Sequence, residues 1–300
     1  MRLTLRQLEI FLAVAESGST AAAAQLVFLT QSASSAALRE LENLLQCQLF
    51  DRVGKRLVMN DNGRQLMPQA RLLIDAATNI ELQFHPETST DISGLKLGSS
   101  TTIGNYLLPE ILAKFNAVRS AQPSKIMIAN TVDIVSAVAN FEVDAGLIEG
   151  YCHEPDLLVE PWLSDELIIV CSPEHPLLLN KGNAKTSLKK LRDAAWLLRE
   201  SGSGTREAVE HALLPHLHYL TPAAEFSNSE AIKNAAVAGL GLACLSRLVV
   251  QELINQRRLV EIPSPLPVLH RQFYLITAAK KIISSRLGTF LNFCRNWTPD

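Results

Sequence analysis

Apolar residues in the first part of the chain recur at helical spacing. From residue 4 to 17, Leu5, Leu8, Leu12 and Ala15 share one face, and Gly18 ends that run. Ser19 can cap an alanine-rich second helix reaching Val27, and Thr30 can cap a third. In the third, Ala37, Leu38, Leu41 and Leu45 face a core, while Gln31, Ser32, Ser35 and Arg39 face the other way. Residues 49–58 then form two short extended runs around Gly54, a hairpin or wing carrying Arg52, Lys55 and Arg56. Asn60 can cap a long helix from about Asp61 to Phe84. Its apolar positions, Leu66, Ala70, Leu73, Ala77, Ile80 and Phe84, are spaced 4, 3, 4, 3, 4. That is a heptad seam whose simplest partner is the same helix of a second copy; the alternative packs it on the chain's own second half.

Residues 85–92 are polar with a proline and read as a hinge. Beyond them strands and helices alternate. Strand-like runs are Leu95–Ser99, Lys125–Asn130, Ala145–Ile148, Glu166–Cys171, Trp196–Arg199, Leu242–Leu245 and Phe273–Ile276. Helical stretches include Leu107–Val118, Val132–Phe141, Arg206–His216, Glu230–Ala238 and Arg286–Cys294. Such alternation predicts parallel sheets joined by helical crossovers.

With 300 residues, 47% of them hydrophobic, the chain can build two or three compact cores. The first 60 residues carry six Lys/Arg against five Asp/Glu. Any affinity for nucleic acid must then come from where charges sit, not from their sum. The five cysteines are scattered, with no CxxC and no zinc spacing, which points to free buried thiols in a reducing compartment. No signal-like segment opens the chain and no apolar run spans a bilayer, so a soluble cytoplasmic protein is expected.

Two short helices joined by a few residues, the second opening with small polar side chains, form the pattern of a helix-turn-helix DNA reader. Gln can pair bidentately with adenine and Ser with several bases. Thr30, Gln31, Ser32 and Ser35 open the reading helix; Ser34 is assigned to a phosphate, and Arg39 to base or backbone. Arg52, Lys55 and Arg56 on the wing would hold phosphates without reading sequence.

These residues resemble the LysR-type transcriptional regulators. The resemblance rests on Leu5, Leu8 and Phe11, then Ser19, Ala23 and Ala24, then Gln31, Ala33, Ser35, Leu38, Leu41-Glu42, Leu49-Phe50, Arg52 and Gly63. Ile148-Glu149-Gly150, the run from Gly202 to Glu207 and the run from Asn228 to Lys233 resemble its YeiE-type subgroup, itself similar to regulators of sulfur and carbon-fixation genes. Thr20 stands where the family usually has Phe, and Gln46 where it usually has Gly, changes that would loosen the first core and the helix stop.

The resemblance implies an all-α winged helix-turn-helix domain (residues 1–60), a linker and dimerisation helix (61–84), a hinge (85–92) and a two-lobed periplasmic-binding-protein-like α/β effector domain (93–300). Lobe 1 is expected over 93–161 and 268–300, and lobe 2 over 162–267. The crossings are placed near Val159–Leu163 and Leu266–Leu269, where Pro161, Pro265 and Pro267 break regular structure. Ligands of such a fold bind at the carboxyl ends of strands and amino ends of helices. Three hydroxyl-rich segments there suit a small anion: Ser99, Ser100, Thr101 and Thr102; Asn130 and Thr131; and Ser201, Ser203, Gly204 and Thr205. Glu149 and Asn228 join the cleft wall, and Glu149 would repel an anion unless paired, or hydrogen-bonded by a protonated ligand. A sulfur oxyanion follows from the YeiE-type resemblance; a small organic metabolite is the alternative. His211, His216 and His218 read as surface residues.

The expected partners are double-stranded promoter DNA, a small effector and further copies of the chain, as a homodimer through 61–84 and a homotetramer, with no cofactor. An enzyme would need a motif the chain lacks: no P-loop, GxSxG or HExxH occurs. A stand-alone solute-binding protein would not carry the first 60 residues.

Overall fold

The computed structural model describes residues 2–54, 56–84, 94–117, 124–178 and 186–299. Lys55 and the expected hinge at 85–92 lie outside the described residues. Two compact units result: one within Met1–Ile92 with Ala139–Glu142 and Lys280–Ser284, the other holding the remainder.

The first unit begins with α1 (Leu5–Ser17), whose Thr4 and Gln7 form a reciprocal capping box and whose stop, Gly18, has φ +72°. Ser19 caps α2 (Thr20–Leu26), and Thr30 caps α3 (Gln31–Leu45), accepting from the Ala33 N–H. A hairpin of β1 (Phe50–Val53) and β2 (Arg56–Met59) follows, with Val53 opposite Arg56. The Leu57 N–H donates to the Gly18 carbonyl at 2.8 Å, tying the wing to the C-terminal end of α1. Asn60 accepts from the Gly63 N–H and starts α4 (Asp61–Phe84).

Leu8, Phe11, Val14, Leu38, Leu41, Leu49, Met67 and Ala70 form this unit's core, with the Phe11 and Phe50 rings 5.5 Å apart. Each fully buried large side chain contributes about 1.5–3 kcal/mol. Gly63 allows α4 to start flush on the wing, because a Cβ there would overlap the Leu49 carbonyl oxygen. Leu45, expected in the core, is 38% exposed. It is the last residue of α3, where Gln46 turns the chain with φ +53°, so the core-facing stripe has ended. On α4 the seam divides. Leu66 and Ala70 pack into this core, whereas Leu73 and Ile80 are 45% and 59% exposed.

The second unit runs β3 (Lys96–Ser100), α5 (Thr101–Tyr106), α6 (Leu108–Ala117), β4 (Lys125–Ala129), α7 (Thr131–Ala139), β5 (Ala145–Glu149), β6 (Leu157–Cys171), α8 (Leu188–Arg192), β7 (Ala195–Arg199), α9 (Gly204–Leu217), β8 (Thr221–Phe226), α10 (Ser229–Val237), β9 (Leu242–Ser246), α11 (Arg247–Asn255), β10 (Val260–Glu261), β11 (Leu269–Ala278) and α12 (Ser285–Asn296). One sheet holds all nine strands in the order β4-β3-β5-β11-β6-β9-β7-β8, with β10 on β6. β4-β3-β5 and β9-β7-β8 are parallel, as strand–helix alternation requires. β6 and β11 run antiparallel to each other and to those neighbours.

The crossings differ from expectation. The chain passes between lobes along β6 and β11, two long paired strands, not along proline-broken loops. Pro161 stays inside β6 beside a one-residue register shift opposite Gln272–Tyr274, where β11 is the strand's sole neighbour. A proline needs no ladder donor at such an edge. Trp162 and Leu163 pack on the first lobe's core with Phe273 and Leu275. Leu269 packs on the second lobe's core with Leu167, Trp196 and Leu213. Among the described residues, no helix is long and apolar enough to cross a membrane.

Candidate functional site

Two surfaces collect the candidate residues. On the first unit, Gln31, Ser32 and Arg39 are exposed along α3, and Ser35 is half-buried. They form a local polar network. Gln31 Nε2 donates to Ser35 Oγ at 3.1 Å, Arg39 Nε to the Ser35 carbonyl at 3.3 Å, and Thr30 Oγ1 lies 3.1 Å from Ser32 Oγ. Ser35 Oγ donates to Thr20 Oγ1 at 3.0 Å, so the threonine at this position anchors α3 to α2. Arg52 and Arg56 are exposed on the wing. Ser34 is a correction: it is fully buried, its hydroxyl without a hydrogen-bond partner, so it faces the core and not a phosphate. Its helical phase, one turn before Leu38 and two before Leu41, places it there.

In the second unit the hydroxyl-rich strand ends converge between the lobes. Thr131 Oγ1, opening α7, donates to the Glu149 carbonyl at 2.7 Å and accepts from the Gly204 N–H at 3.2 Å. The start of α9 thus abuts the end of β5, and a Cβ on Gly204 would overlap the Glu149 carbonyl oxygen. Thr205 Oγ1 donates to Glu149 Oε1 at 2.8 Å. Tyr106, at the end of α5, hydrogen-bonds Glu230 on α10 and accepts from Lys233 at 2.8 Å, a second tie between lobes.

Sequence reasoning missed two buried arginines that organise this cleft. Arg271 of β11 donates to Thr205 Oγ1 at 2.9 Å, Thr102 Oγ1 at 3.3 Å and Asp165 Oδ2 at 2.7 Å, and pairs with Glu149 Oε2 at 3.2 Å. Ser246 donates to the other Asp165 oxygen at 2.7 Å. Arg199, 1% exposed at the end of β7, donates to Thr101 Oγ1 at 2.9 Å and Ser229 Oγ at 3.1 Å, and pairs with Glu200 at 2.7 Å. A basic residue at the carboxyl end of an apolar strand was the available signal. For Arg271 the strand itself was read too short.

The remaining candidates are less available. Ser203 and Asn228 spend their side-chain oxygens capping α9 and α10, and Asn130 caps α7. Ser201 is exposed in the turn before α9, and Ser99 Oγ donates to the Ser100 carbonyl. Ser100 Oγ is buried and unpartnered. Arg206 pairs with Glu210 and with Glu225. His211, His216 and His218 are exposed, and among the described residues no group of three His, Cys, Asp or Glu could hold a metal. All five cysteines are free, and burial pushes the thiols of Cys171, Cys244 and Cys294 up to about 12. Such thiols carry almost no thiolate and are inert. Cys47 and Cys152 are half-buried.

Comparison with known proteins matches the two units to two families. Residues 5–64 fit the bacterial regulatory helix-turn-helix proteins of the lysR family, and residues 89–299 fit the LysR substrate binding domain. The regulator YeiE of Escherichia coli is 44% identical over 294 residues, covering 98% of both chains. The regulator CysL of Bacillus subtilis is 31% identical over 254 residues, 84% of this chain and 83% of its own. A full-length OxyR variant from Pseudomonas aeruginosa superposes with a TM-score of 0.81 at 22% identity, over 99% of this chain and 96% of its own. The regulatory domain of CcmR from Synechocystis, solved with 2-PG, gives a TM-score of 0.61 at 27% identity over 68% of this chain and 96% of its own. With a DNA-reading N-terminal unit and a two-lobed substrate-binding unit, the chain belongs to the LysR family of transcriptional regulators and is not an enzyme.

Proposed function

We propose that the effector of this regulator is a small oxyanion, a sulfur oxyanion such as sulfite or sulfate, held between the lobes by Ser100, Thr101, Thr102, Thr131, Gly204 and Thr205. The observation that carries this reading is the convergence of those helix starts on buried Arg199 and Arg271. Hydroxyls, free amides and guanidinium groups at low dielectric suit a compact anion. Thr30, Gln31, Ser32 and Ser35 read base edges, Arg39 meets a base or the backbone, and Arg52, Lys55 and Arg56 hold phosphates. Two chains pair through the seam of 61–84, and two dimers form a tetramer in the cytoplasm.

Thermal unfolding of the whole protein against sulfite, sulfate, thiosulfate, phosphate and O-acetylserine tests the ligand. A ligand that binds only the folded state raises the transition by RT ln(1 + [L]/Kd). An upward shift with a sulfur oxyanion, lost in Thr102→Ala, is expected; a shift with the organic molecule alone overturns the oxyanion. That second reading, a small organic effector, is favoured by the relative solved with 2-PG.

A further inference from the structure

The charges in the cleft do not balance. Around Arg271, one guanidinium faces two buried carboxylates, Glu149 from β5 and Asp165 from β6. Arg199 is matched by Glu200. The groups that α5 and α9 bring to this ion pair, Thr102 on Arg271 and Thr205 on both Arg271 and Glu149, are uncharged hydroxyls. The set therefore carries one negative charge in excess. Asp165 is fully engaged, one oxygen by Ser246 and the other by Arg271. Glu149 is not. Its Oε1 accepts from Thr205, while Oε2 is buried 3.2 Å from Arg271 without a hydrogen bond. Ser100 Oγ, buried at the mouth of α5, also lacks a partner. A buried carboxylate oxygen with spare acceptor capacity is costly unless something donates to it.

Resting on the cleft as the effector site, we infer that Glu149 is a specificity filter: it admits an oxyanion that still carries a proton and rejects one that has none. The protonated oxygen of hydrogen sulfite or of a hydrogen phosphate donates to Glu149 Oε2. The other oxygens accept from Ser100 and from the helix-start hydroxyls and N–H groups. Sulfate at neutral pH has no proton to give, so any oxygen it places near Oε2 sets acceptor against acceptor in a water-poor site. Shape alone does not separate these tetrahedral and pyramidal anions; the direction of one hydrogen bond does, and leaving such a buried polar group unpaired discriminates strongly.

The test is calorimetric titration of the full-length protein with sulfite, inorganic phosphate and sulfate across pH 6 to 9. Expected for the wild type is binding of sulfite with an apparent affinity falling about tenfold per pH unit once the bulk anion has lost its proton, binding of phosphate, which keeps a proton across this range, without such a fall, and sulfate at least tenfold weaker than phosphate throughout. Glu149→Gln keeps an acceptor for Thr205 and adds an amide donor. It should gain sulfate binding and lose the pH slope. Equal binding of sulfate and sulfite by the wild type at pH 6, or a flat pH profile with sulfite, overturns the filter while leaving the cleft as an oxyanion site. No binding of any of the three by either protein overturns the oxyanion reading and the filter together. The wild-type pH profile decides the matter even if Glu149→Gln does not fold.

Discussion

At the scale of single residues, the exposed face of α3 was legible because helix phase is arithmetic. Once Thr30 is fixed as the cap, the exposed positions Gln31, Ser32 and Arg39 follow. The same arithmetic should have removed Ser34, whose small polar side chain looked suitable although its phase points inward. Gln31→Ala should weaken binding to the preferred site by about 1–3 kcal/mol while barely changing binding to unrelated duplexes. Arg52→Ala should weaken both alike and flatten the salt dependence. Fluorescence anisotropy with specific and random duplexes at several salt concentrations separates the two. Identical losses for both variants would dissolve the division between reading and holding.

At the scale of elements, strand and helix order was legible and strand length was not. Periodicity marks where apolar side chains start and stop, but β6 and β11 continue through polar residues, Ser164 to Glu166 and His270 to Gln272, of which Asp165 and Arg271 are buried as an ion pair. For the same reason Arg271 escaped notice, since its partners lie 66 to 169 residues away in sequence. Close approach of α9 to β5 depends on Gly204, which has no room for a methyl group. Gly204→Ala should push these elements apart and break the Thr131 and Thr205 hydrogen bonds. The expected outcome is a protein that still retards promoter DNA but whose DNA binding no longer responds to effector, measured by gel shift with and without sulfite. An unchanged response would mean that the two helix starts need not touch.

At the scale of the whole molecule, the exposed half of the α4 seam predicts assembly. Leu73→Asp with Ile80→Asp should convert the dimer to a monomer in sedimentation velocity and cost most of the DNA affinity, with the two-fold register of half-sites lost. A dimer that survives both changes would move the interface elsewhere. Acid stability is also a global property with local causes. Hydrogen bonding from Arg295 holds the Glu160 carboxyl below its ordinary value, and Arg247 does the same for Glu166. Such depressed groups lend stability above the unfolded value, about 4.3, and lose it as pH falls through the folded value. Both pairs are solvent-screened, so each contributes only about 0.2–1 kcal/mol. Arg247→Met and Arg295→Met should therefore lower the melting temperature slightly at neutral pH and low salt, and the difference from the wild type should vanish as pH falls well below about 4.3.

The crossing made of two paired strands has a consequence for how the sequence can change. A loop hinge tolerates insertions, because length in a loop costs little. Here the backbone between the lobes is a hydrogen-bonded ladder from Leu157–Ala278 at one end to Leu167–Leu269 at the other. Gaining or losing one residue away from the bulge turns every side chain beyond that point to the opposite face, putting Arg271 or Phe273 in the wrong compartment. Only at Trp162–Leu163, where β6 already carries its extra residue, would a one-residue deletion leave both ladders in phase while removing the local bend. The angle between the lobes is thus written in residue number, and an indel at that spot resets the sensor where a substitution merely tunes it.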